Sequence, residues 1–311
     1  IGLRAMASSR TISNTMAVGF KALYSNTTGY KNSATGYEAL YNNTTGICNC
    51  ASGYQALYAN TVACCNTASG FSALFCNTTG SCNCAVGDYA LYNNCTGYSN
   101  EAHGYKAQYS NATGCKNYVF GRCALYSNTT GSDNHSFGRC TLQANTTGVC
   151  NTAVGRFALA GNTTGSRNIA IGTCAMCAST TASRDIGIGE MALAVSTGYA
   201  NVAIGLNTLD ANTSGYNNVG IGKAALGSNT CGCCNTASGY NAGVGNTTGC
   251  NNVFIGYHAG CSNTTNCNRT YLGNAATTNT YICGALSKSS GTFSIPHPDP
   301  AKTETKDLQH S

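Results

Sequence analysis

The sequence predicts an all-β chain folded as a parallel β-solenoid, or β-roll, of about sixteen coils of 17 residues each. Three observations support this prediction. One glycine recurs every 17 residues, Gly, Asn and Thr dominate every unit, and each unit carries two turn signals. A fixed period of this length is typical of stacked repeats, in which each unit packs only on its neighbours.

The period is set by a glycine that we call the marker glycine. It occurs in one series with a constant step of 17 residues and, after a single shorter step, in a second series with the same period. The first series is Gly19, Gly36, Gly53, Gly70, Gly87, Gly104, Gly121, Gly138, Gly155, Gly172 and Gly189, and the second is Gly205, Gly222, Gly239, Gly256 and Gly273. We therefore expect a column of coils with one irregularity between Gly189 and Gly205, where one residue is missing.

The residues between marker glycines favour strands and turns over helices. Gly, Asn and Thr are weak helix formers. Each regular unit has an Asn four residues before the marker glycine and an Asn-Thr-Thr-Gly sequence seven to ten residues after it. These turn signals leave a short segment such as Ala68–Phe75 and a still shorter one between them, so we expect two extended segments and two turns per coil.

Residues one period apart should stack directly in such a fold. The Leu four residues after the marker glycine predicts an interior ladder made of Leu23, Leu40, Leu57, Leu74 and Leu91. The Asn before the marker predicts a ladder of amides bonded to the layers above and below, which includes Asn49, Asn66 and Asn83. A core of Leu and Ala is thin and buries little apolar area in one chain.

Two aromatic columns accompany this core, one beginning Phe20, Tyr37 and the other Tyr24, Tyr41. An exposed row of aromatic side chains favours association. We therefore expect at least one column, or the later Ile/Val positions, to face another copy of the chain in a homotrimeric rod. The alternative is a row of half-buried surface tyrosines whose hydroxyls reach water.

Composition separates two regions of the chain. Residues 1–286 follow the period and are predicted to form the solenoid shaft, whereas residues 287–311 form a C-terminal segment that begins a further domain. All three prolines lie in the second region. Because proline removes a ladder hydrogen bond, the solenoid should end before them.

The 21 cysteines fall into columns more than into metal-binding patterns. Stacked positions lie about 5 Å apart, which permits inter-coil disulfides. The candidate columns are Cys48, Cys65 and Cys82; Cys123 and Cys140; and Cys233, Cys250 and Cys267. The alternative is that cysteine acts as a small apolar filler. Since no histidine accompanies the cysteines in a ligand pattern, we expect no metal and no cofactor.

Arg122, Arg139 and Arg156 occupy one position in three consecutive coils. Like charges stacked at this spacing repel. We therefore expect them to pair across a chain interface or to contact an anionic surface glycan of a receptor. The alternative is a solvated basic stripe.

Several classes of function are disfavoured. Only 8% of residues are charged and no catalytic constellation is present, so we do not expect an enzyme. The net charge of +6 is dispersed without a Lys/Arg-rich run, which disfavours nucleic-acid binding. No apolar run approaches the roughly 20 residues of a membrane helix, so membrane insertion is not expected.

The Asn-Thr-Thr-Gly turn allows two further interpretations. It contains N-glycosylation sequons, such as those at Asn26 and Asn128, although glycans one layer apart would be crowded. It also forms a threonine ladder, including Thr27 and Thr44, of the kind that an ice-binding solenoid would need. The simpler interpretation is turn chemistry, with the glycine supplying a positive φ.

The sequence Gly-Tyr-x-Ala-Leu-Tyr-x-Asn-Thr-Thr-Gly at 36–46, and its variant at 53–63, resembles repeats of bacteriophage tail-fibre proteins. It is also similar in style to the YadA-like head of trimeric autotransporter adhesins. The resemblance implies a homotrimeric structural fibre of a virion that mediates host attachment. Its partners would be other virion tail proteins and a host surface glycan or protein receptor, and its location the virion or the extracellular space.

The segment from Gly291 to Ser311 resembles the opening of a C-terminal domain that follows such repeats. In some phage fibres a C-terminal chaperone cleaves itself off after trimerisation. The resemblance thus implies that Ser311 is a cleavage terminus. Two alternatives to the virion fibre remain: a cellular extracellular filament or adhesin carrying N-glycans, and an ice-binding solenoid.

Overall fold

The computed structural model describes residues 5, 6, 8, 14–274 and 276, together with the backbone of residues 293–296 and 303–306. The chain divides into two units, Ile1–Ala275 and Ala276–Ser311. The first unit contains a sheet of 16 strands in sequence order, each parallel to the next. The predicted all-β parallel solenoid is therefore confirmed.

Every strand of the solenoid has three residues. The strands are β1 (Met16–Val18), β2 (Ser33–Thr35), β3 (Cys50–Ser52), β4 (Thr67–Ser69), β5 (Cys84–Val86), β6 (Glu101–His103), β7 (Tyr118–Phe120), β8 (His135–Phe137), β9 (Thr152–Val154), β10 (Ile169–Ile171), β11 (Ile186–Ile188), β12 (Val202–Ile204), β13 (Val219–Ile221), β14 (Thr236–Ser238), β15 (Val253–Ile255) and β16 (Thr270–Leu272). Equivalent residues pair across neighbouring strands, as Ala51 pairs with Ala68. The coils are therefore stacked in register.

The marker glycine forms the corner that follows each strand. Its backbone lies at a positive φ that side chains rarely adopt, for example +147° at Gly121. A Cβ atom on Gly121 would also lie 2.2 Å from the carbonyl oxygen of Gly138 in the next coil. Both the conformation and the close approach of two backbones require glycine here, which explains why the sequence repeats it.

The structure corrects the prediction of two extended segments per coil, because the described coils contain one strand each. In the segment 68–75, Ala68 lies in β4, whereas Leu74 lies in a turn and has φ +51°. This left-handed conformation costs a leucine about 1–2 kcal/mol. Two backbone hydrogen bonds fix it: Leu74 N–H donates to Ala90 O at 3.0 Å, and Asn77 N–H donates to Leu74 O at 3.2 Å.

The predicted leucine ladder forms the core. Leu23, Leu40, Leu57, Leu74 and Leu91 are all fully buried. They pack with alanines such as Ala34 and Ala39 in one continuous cluster. Larger core residues are matched by smaller neighbours, as at Phe254, where a Cβ on Gly243 would lie 2.6 Å from the phenyl ring. A small residue beside a large one keeps the interior close-packed.

The Asn four residues before each marker glycine forms what we call the inner Asn ladder. Asn66 N–H donates to Asn49 Oδ1 at 3.0 Å, and Asn66 Nδ2 donates to Asn49 Oδ1 at 3.2 Å and to Gly80 O at 2.9 Å. Asn83 N–H donates to Asn66 Oδ1 at 2.9 Å. The predicted bonding between layers is confirmed. The left-handed residue of this turn is the one before the Asn, such as Cys65 with φ +60°.

The Asn of the Asn-Thr-Thr-Gly sequence forms a second ladder, which we call the turn Asn ladder. Asn43 Nδ2 donates to Asn26 Oδ1 at 2.8 Å and to Gly46 O at 3.1 Å. The prediction that this glycine supplies a positive φ is wrong, since Gly46 does not have one. It is small because a Cβ would lie 2.3 Å from Asn43 Oδ1.

The one shortened coil lies between β11 and β12, where Ile186 pairs with Val202. The turn there is Ser196-Thr197-Gly198 in place of the four-residue Asn-Thr-Thr-Gly. The parallel sheet continues through this point without a break in order. The missing residue is therefore removed from a turn and not from the sheet.

In the second unit, β17 (Phe293–Pro296) and β18 (Thr303–Lys306) pair antiparallel. The division after Ala275 precedes the boundary predicted at residues 286–287. Ser311, the predicted cleavage terminus, lies outside the described residues, so that hypothesis stays a prediction.

Candidate functional site

The outward side of the parallel sheet is the first candidate surface. Strands β1 to β15 each bury their middle residue and turn their first and third residues outward, as in Cys50–Ser52. In β2 to β4 these outward residues are small and mostly polar, for example Thr35 and Ser69. From β7 to β13 the third-position residues are large and apolar, whereas β14 again carries Thr236 and Ser238, so different strands of one sheet differ in chemistry.

We call the third-position residues of β7 to β13 the apolar sheet face. Its members are Phe120, Phe137, Val154, Ile171, Ile188, Ile204 and Ile221. Exposure is 37% at Phe120 and 44% at Ile221, and Ile169 at a first strand position is 38% exposed. Aligned side chains of this exposure form a patch on the order of several hundred Å², the size at which exposed apolar surface indicates an interaction site.

The two aromatic columns stack as the sequence predicted but differ in burial. Tyr37 and Tyr54 stack with ring centroids 5.0 Å apart and are each 42% exposed. Tyr41 and Tyr58 stack at 5.2 Å and are half-buried. Because parallel rings cover one another's faces, each column presents ring edges and hydroxyls outward. Whether either column faces another chain stays a prediction.

Arg122, Arg139 and Arg156 continue the more exposed aromatic column, one residue after the marker glycine, and all three are exposed. The guanidinium of Arg122 lies 5.8 Å from the ring centroid of Tyr105, and that of Arg156 lies 4.8 Å from Phe157. Within the described residues the structure contains a single ion pair, Lys21 with Glu38 at 3.9 Å. The three arginines therefore have no carboxylate partner there and remain available to an anion.

The predicted cysteine columns are in register, but their thiols are free. No disulfide forms among the described cysteines, which include Cys48, Cys65, Cys82, Cys123, Cys140, Cys233, Cys250 and Cys267. Burial and then the neighbouring Cys82 and Cys48 raise the pKa of the Cys65 thiol. Cys233 and Cys250 approach closely, with Sγ atoms 3.0 Å apart. The register of the coils therefore does not by itself determine which sulfur atoms approach each other.

The structure bears on the two alternative interpretations of the turn. The sequon residues Asn26 and Asn128 are 1% and 0% exposed. Asn128 Nδ2, the atom that would carry a glycan, donates to Asn111 Oδ1 and Gly131 O, both at 2.9 Å. Thr44 Oγ1 donates to Thr61 O at 3.1 Å, so this hydroxyl is occupied within the fold. These contacts favour the interpretation as turn chemistry over glycan attachment or ice binding.

Sequence reasoning missed Asp185, which replaces Asn in the inner Asn ladder. Asp185 is fully buried, and it accepts hydrogen bonds from Asn201 N–H at 2.8 Å and Ser196 Oγ at 2.9 Å. Burial raises the pKa of Asp185 to about 6 in spite of these donors. The sequence contains a signal for this residue, because an Asp stands at an inner Asn ladder position next to the shortened coil.

Other site classes receive no support within the described residues. They contain no group of three or more His, Cys, Asp or Glu side chains placed to hold a metal ion. No helix among them has the length and apolar character to span a bilayer.

The comparisons with known proteins returned no relatives. No family model matches the chain, and no significant match was found among curated proteins or solved structures. The repeat and the surfaces described above are therefore the basis for assigning a function to this chain.

Proposed function

We propose that this chain is a structural fibre of a virion, namely a bacteriophage tail fibre whose solenoid assembles as a homotrimer and mediates host attachment. The observation that carries the proposal is the apolar sheet face. The solenoid leaves Ile171 and Ile204 39% and 37% exposed on its outside. The likeness of the repeat at 36–46 to tail-fibre repeats supports the virion assignment.

A second copy of the same chain is a suitable partner for the apolar sheet face, because its outward side chains have the same spacing. Outward side chains recur once per layer, at roughly 4.8 Å. Another copy has the same layer spacing, so each apolar side chain can meet an equivalent one along the whole face. A closed arrangement of three copies would cover the face in every chain without leaving an open edge. It would also add apolar burial to a core made mostly of Leu and Ala.

Attachment is assigned to the outward arginine column. Arg122, Arg139 and Arg156 present guanidinium groups at successive layers, and guanidinium recognises carboxylate, sulfate and phosphate groups well. An extended anionic glycan on a host surface could meet several of them at once. The aromatic column that precedes them supplies hydroxyls for further contacts.

The assembly is tested by native mass spectrometry of the purified chain. We expect a mass of three chains for the wild type. We expect a single chain for the triple variant Ile171→Thr, Ile188→Thr and Ile204→Thr, because threonine keeps strand preference but weakens apolar contact. The matched control is Thr35→Ser, Ser52→Thr and Ser69→Thr on the polar strands β2 to β4, which should remain trimeric. A monomeric wild type, or a triple variant that stays trimeric, would contradict the assembly.

Attachment is tested on an array of sialylated, sulfated and neutral glycans. We expect binding to anionic glycans that falls at least tenfold in Arg122→Ser/Arg139→Ser/Arg156→Ser. The control Lys31→Ser/Lys116→Ser/Arg167→Ser removes three exposed charges five residues before marker glycines, away from the arginine column, and should retain most binding. Equal losses in the two variants would show a non-specific charge effect, and absence of binding by the wild type would refute the glycan assignment.

A further inference from the structure

Three cysteines near the C-terminal end of the solenoid occupy one column, six residues before successive marker glycines. They are Cys233, Cys250 and Cys267. Cys233 N–H donates to Cys250 Sγ at 3.2 Å, and Cys250 N–H donates to Cys267 Sγ at 3.1 Å. The sulfurs of Cys250 and Cys267 are thus each held toward the preceding coil.

In four other coils this position holds a serine that accepts a hydrogen bond from the preceding coil. Cys115 N–H donates to Ser132 Oγ at 3.0 Å, and Val149 N–H donates to Ser166 Oγ at 3.0 Å. Cysteine at 250 therefore takes the acceptor role of serine, and its side-chain direction is fixed by the backbone of the neighbouring coil. In this direction Cys250 Sγ comes within 3.0 Å of Cys233 Sγ.

The two thiols differ in acidity. The hydrogen bond with Cys250 lowers the pKa of Cys233, and a hydrogen bond with Tyr216 lowers it further. Burial, followed by the contact with Cys233, raises the pKa of Cys250 to about 11. Because the thiolate is the reactive form, Cys233 is the nucleophile of the pair and Cys250 the thiol that follows.

We propose that Cys233 and Cys250 are a redox clamp, which a hydroperoxide closes by forming a disulfide between consecutive coils. The Cys233 thiolate attacks one peroxide oxygen, the O–O bond breaks, and a sulfenic acid and water form after uptake of one proton. Cys250 then attacks the sulfenic sulfur, the S–S bond forms, and a second water leaves with the hydroxyl and the Cys250 proton. Two thiols are oxidised and one hydrogen peroxide is reduced to two waters.

The geometry is compatible with this product. Stacked layers separate equivalent Cα atoms by about 4.8 Å, within the roughly 4.4–6.8 Å range of disulfides. The sulfurs need to approach by about 1 Å, since an S–S bond is about 2.05 Å long. The backbone can therefore stay in register when the clamp closes.

The clamp lies next to the place where both Asn ladders stop. Arg269 follows Asn252 in the inner Asn ladder and is exposed, so no amide continues that ladder. The turn Asn ladder reaches Asn263, the last member described. Weakly connected ends of a structure open most readily. A bond between the coils of Cys233 and Cys250 would hold the end of the solenoid closed under oxidising conditions.

The experiment uses the full chain carrying Cys231→Ser and Cys234→Ser, reduced and then treated with one equivalent of hydrogen peroxide. Free thiols are alkylated, and chymotrypsin, which cleaves after Leu226, Tyr240 and Phe254, places Cys233 and Cys250 in separate peptides. We expect mass spectrometry to find these peptides joined with loss of two hydrogens. Hydrogen exchange at 251–268 should slow at least threefold relative to the reduced protein.

The matched control adds Cys250→Ser, which keeps an acceptor for Cys233 N–H as serine does elsewhere in the column. We expect no joined peptides and an accumulated sulfenic acid at Cys233 that reacts with dimedone. The proposal is overturned if Cys233 and Cys250 are both alkylated after treatment while other cysteines are oxidised. It is equally overturned if Cys250 is joined to Cys267, or if exchange at 251–268 is unchanged by a disulfide that does form.

Discussion

The regular coils around β6 to β8 and the irregular coils around β11 and β12 pair their buried polar groups in different ways. In the regular coils, Asn117 Nδ2 donates to Asn100 Oδ1 and to Gly131 O, both at 3.0 Å, and Asn100 and Asn134 repeat the pattern. In the irregular coils Asp185 takes the place of Asn and can only accept while it is ionised.

The turn Asn ladder is interrupted in the same region. Ser179 and Ser196 replace the asparagines that would follow Asn162. Asn162 Oδ1 is then buried without a hydrogen-bond partner, while Ser196 Oγ donates sideways to Asp185 at 2.9 Å. The comparison teaches that the sheet tolerates a shortened turn, whereas the amide ladders must be continuous to satisfy their buried polar atoms.

The largest effect should come from the corner glycine of a regular coil. We expect Gly121→Ala to lower the free energy of unfolding by about 3–5 kcal/mol, because φ is +147° and a Cβ would meet the Gly138 carbonyl oxygen. A strand glycine of the irregular region serves as the contrast: Gly187→Ala should cost about 1 kcal/mol, since Gly187 has no positive φ and its Cβ would meet the Met176 side chain at 2.9 Å and the Ala192 carbonyl oxygen at 3.1 Å. Urea unfolding measures both, and equal costs would contradict the comparison.

The next effect concerns a regular rung of the inner Asn ladder. Asn117→Asp would place a buried carboxylate against the carbonyl of Gly131 and remove two donated hydrogen bonds. We expect a loss of about 3 kcal/mol at pH 7 and a smaller loss at pH 5, where the carboxyl can be protonated. Unfolding in urea at both pH values measures it. A variant as stable as the wild type at pH 7 would show that the amide donors contribute nothing to the ladder.

The smallest effect is the reverse change, Asp185→Asn, which should make the irregular rung resemble a regular one. Burial raises the pKa of Asp185 to about 6, above the roughly 3.9 of an unfolded Asp, so the folded state binds the proton more tightly. This group therefore favours the folded state fully below pH 4, and the contribution is lost as the pH rises through 6. We expect Asp185→Asn to gain up to about 2 kcal/mol at pH 7.

The measurement is urea unfolding of the wild type and Asp185→Asn at pH 5, 6, 7 and 8. The difference between them should widen from pH 5 to pH 7 and then level off, which separates Asp185 from the other titrating groups. Parallel pH profiles would mean that Asp185 titrates as an ordinary surface carboxyl.

Much of the fold could be predicted because in-register stacking converts sequence spacing directly into contact. Leu57 and Leu74 lie one period apart and are both fully buried, as expected. The left-handed backbone of Leu57, at +53°, could not be predicted, because it depends on how each corner closes against the next coil.

The same limit applies to the candidate surfaces. Spacing placed Tyr37 and Tyr41 in two columns, but only the coordinates show which column is more exposed. Likewise, spacing aligned Cys233, Cys250 and Cys267, whereas the 3.0 Å approach of one sulfur pair depends on side-chain direction.

The identical pairing of every strand with the next has a genetic consequence. Duplicating or deleting one whole regular repeat keeps the register of the neighbouring coils, so recombination between regular repeats would alter the solenoid's length in fixed increments of about 4.8 Å. An insertion of a few residues has no such freedom and must be absorbed in a turn, as the three-residue Ser196–Gly198 turn absorbs a deletion. Related chains could thus differ in solenoid length while they keep the same kinds of core residue.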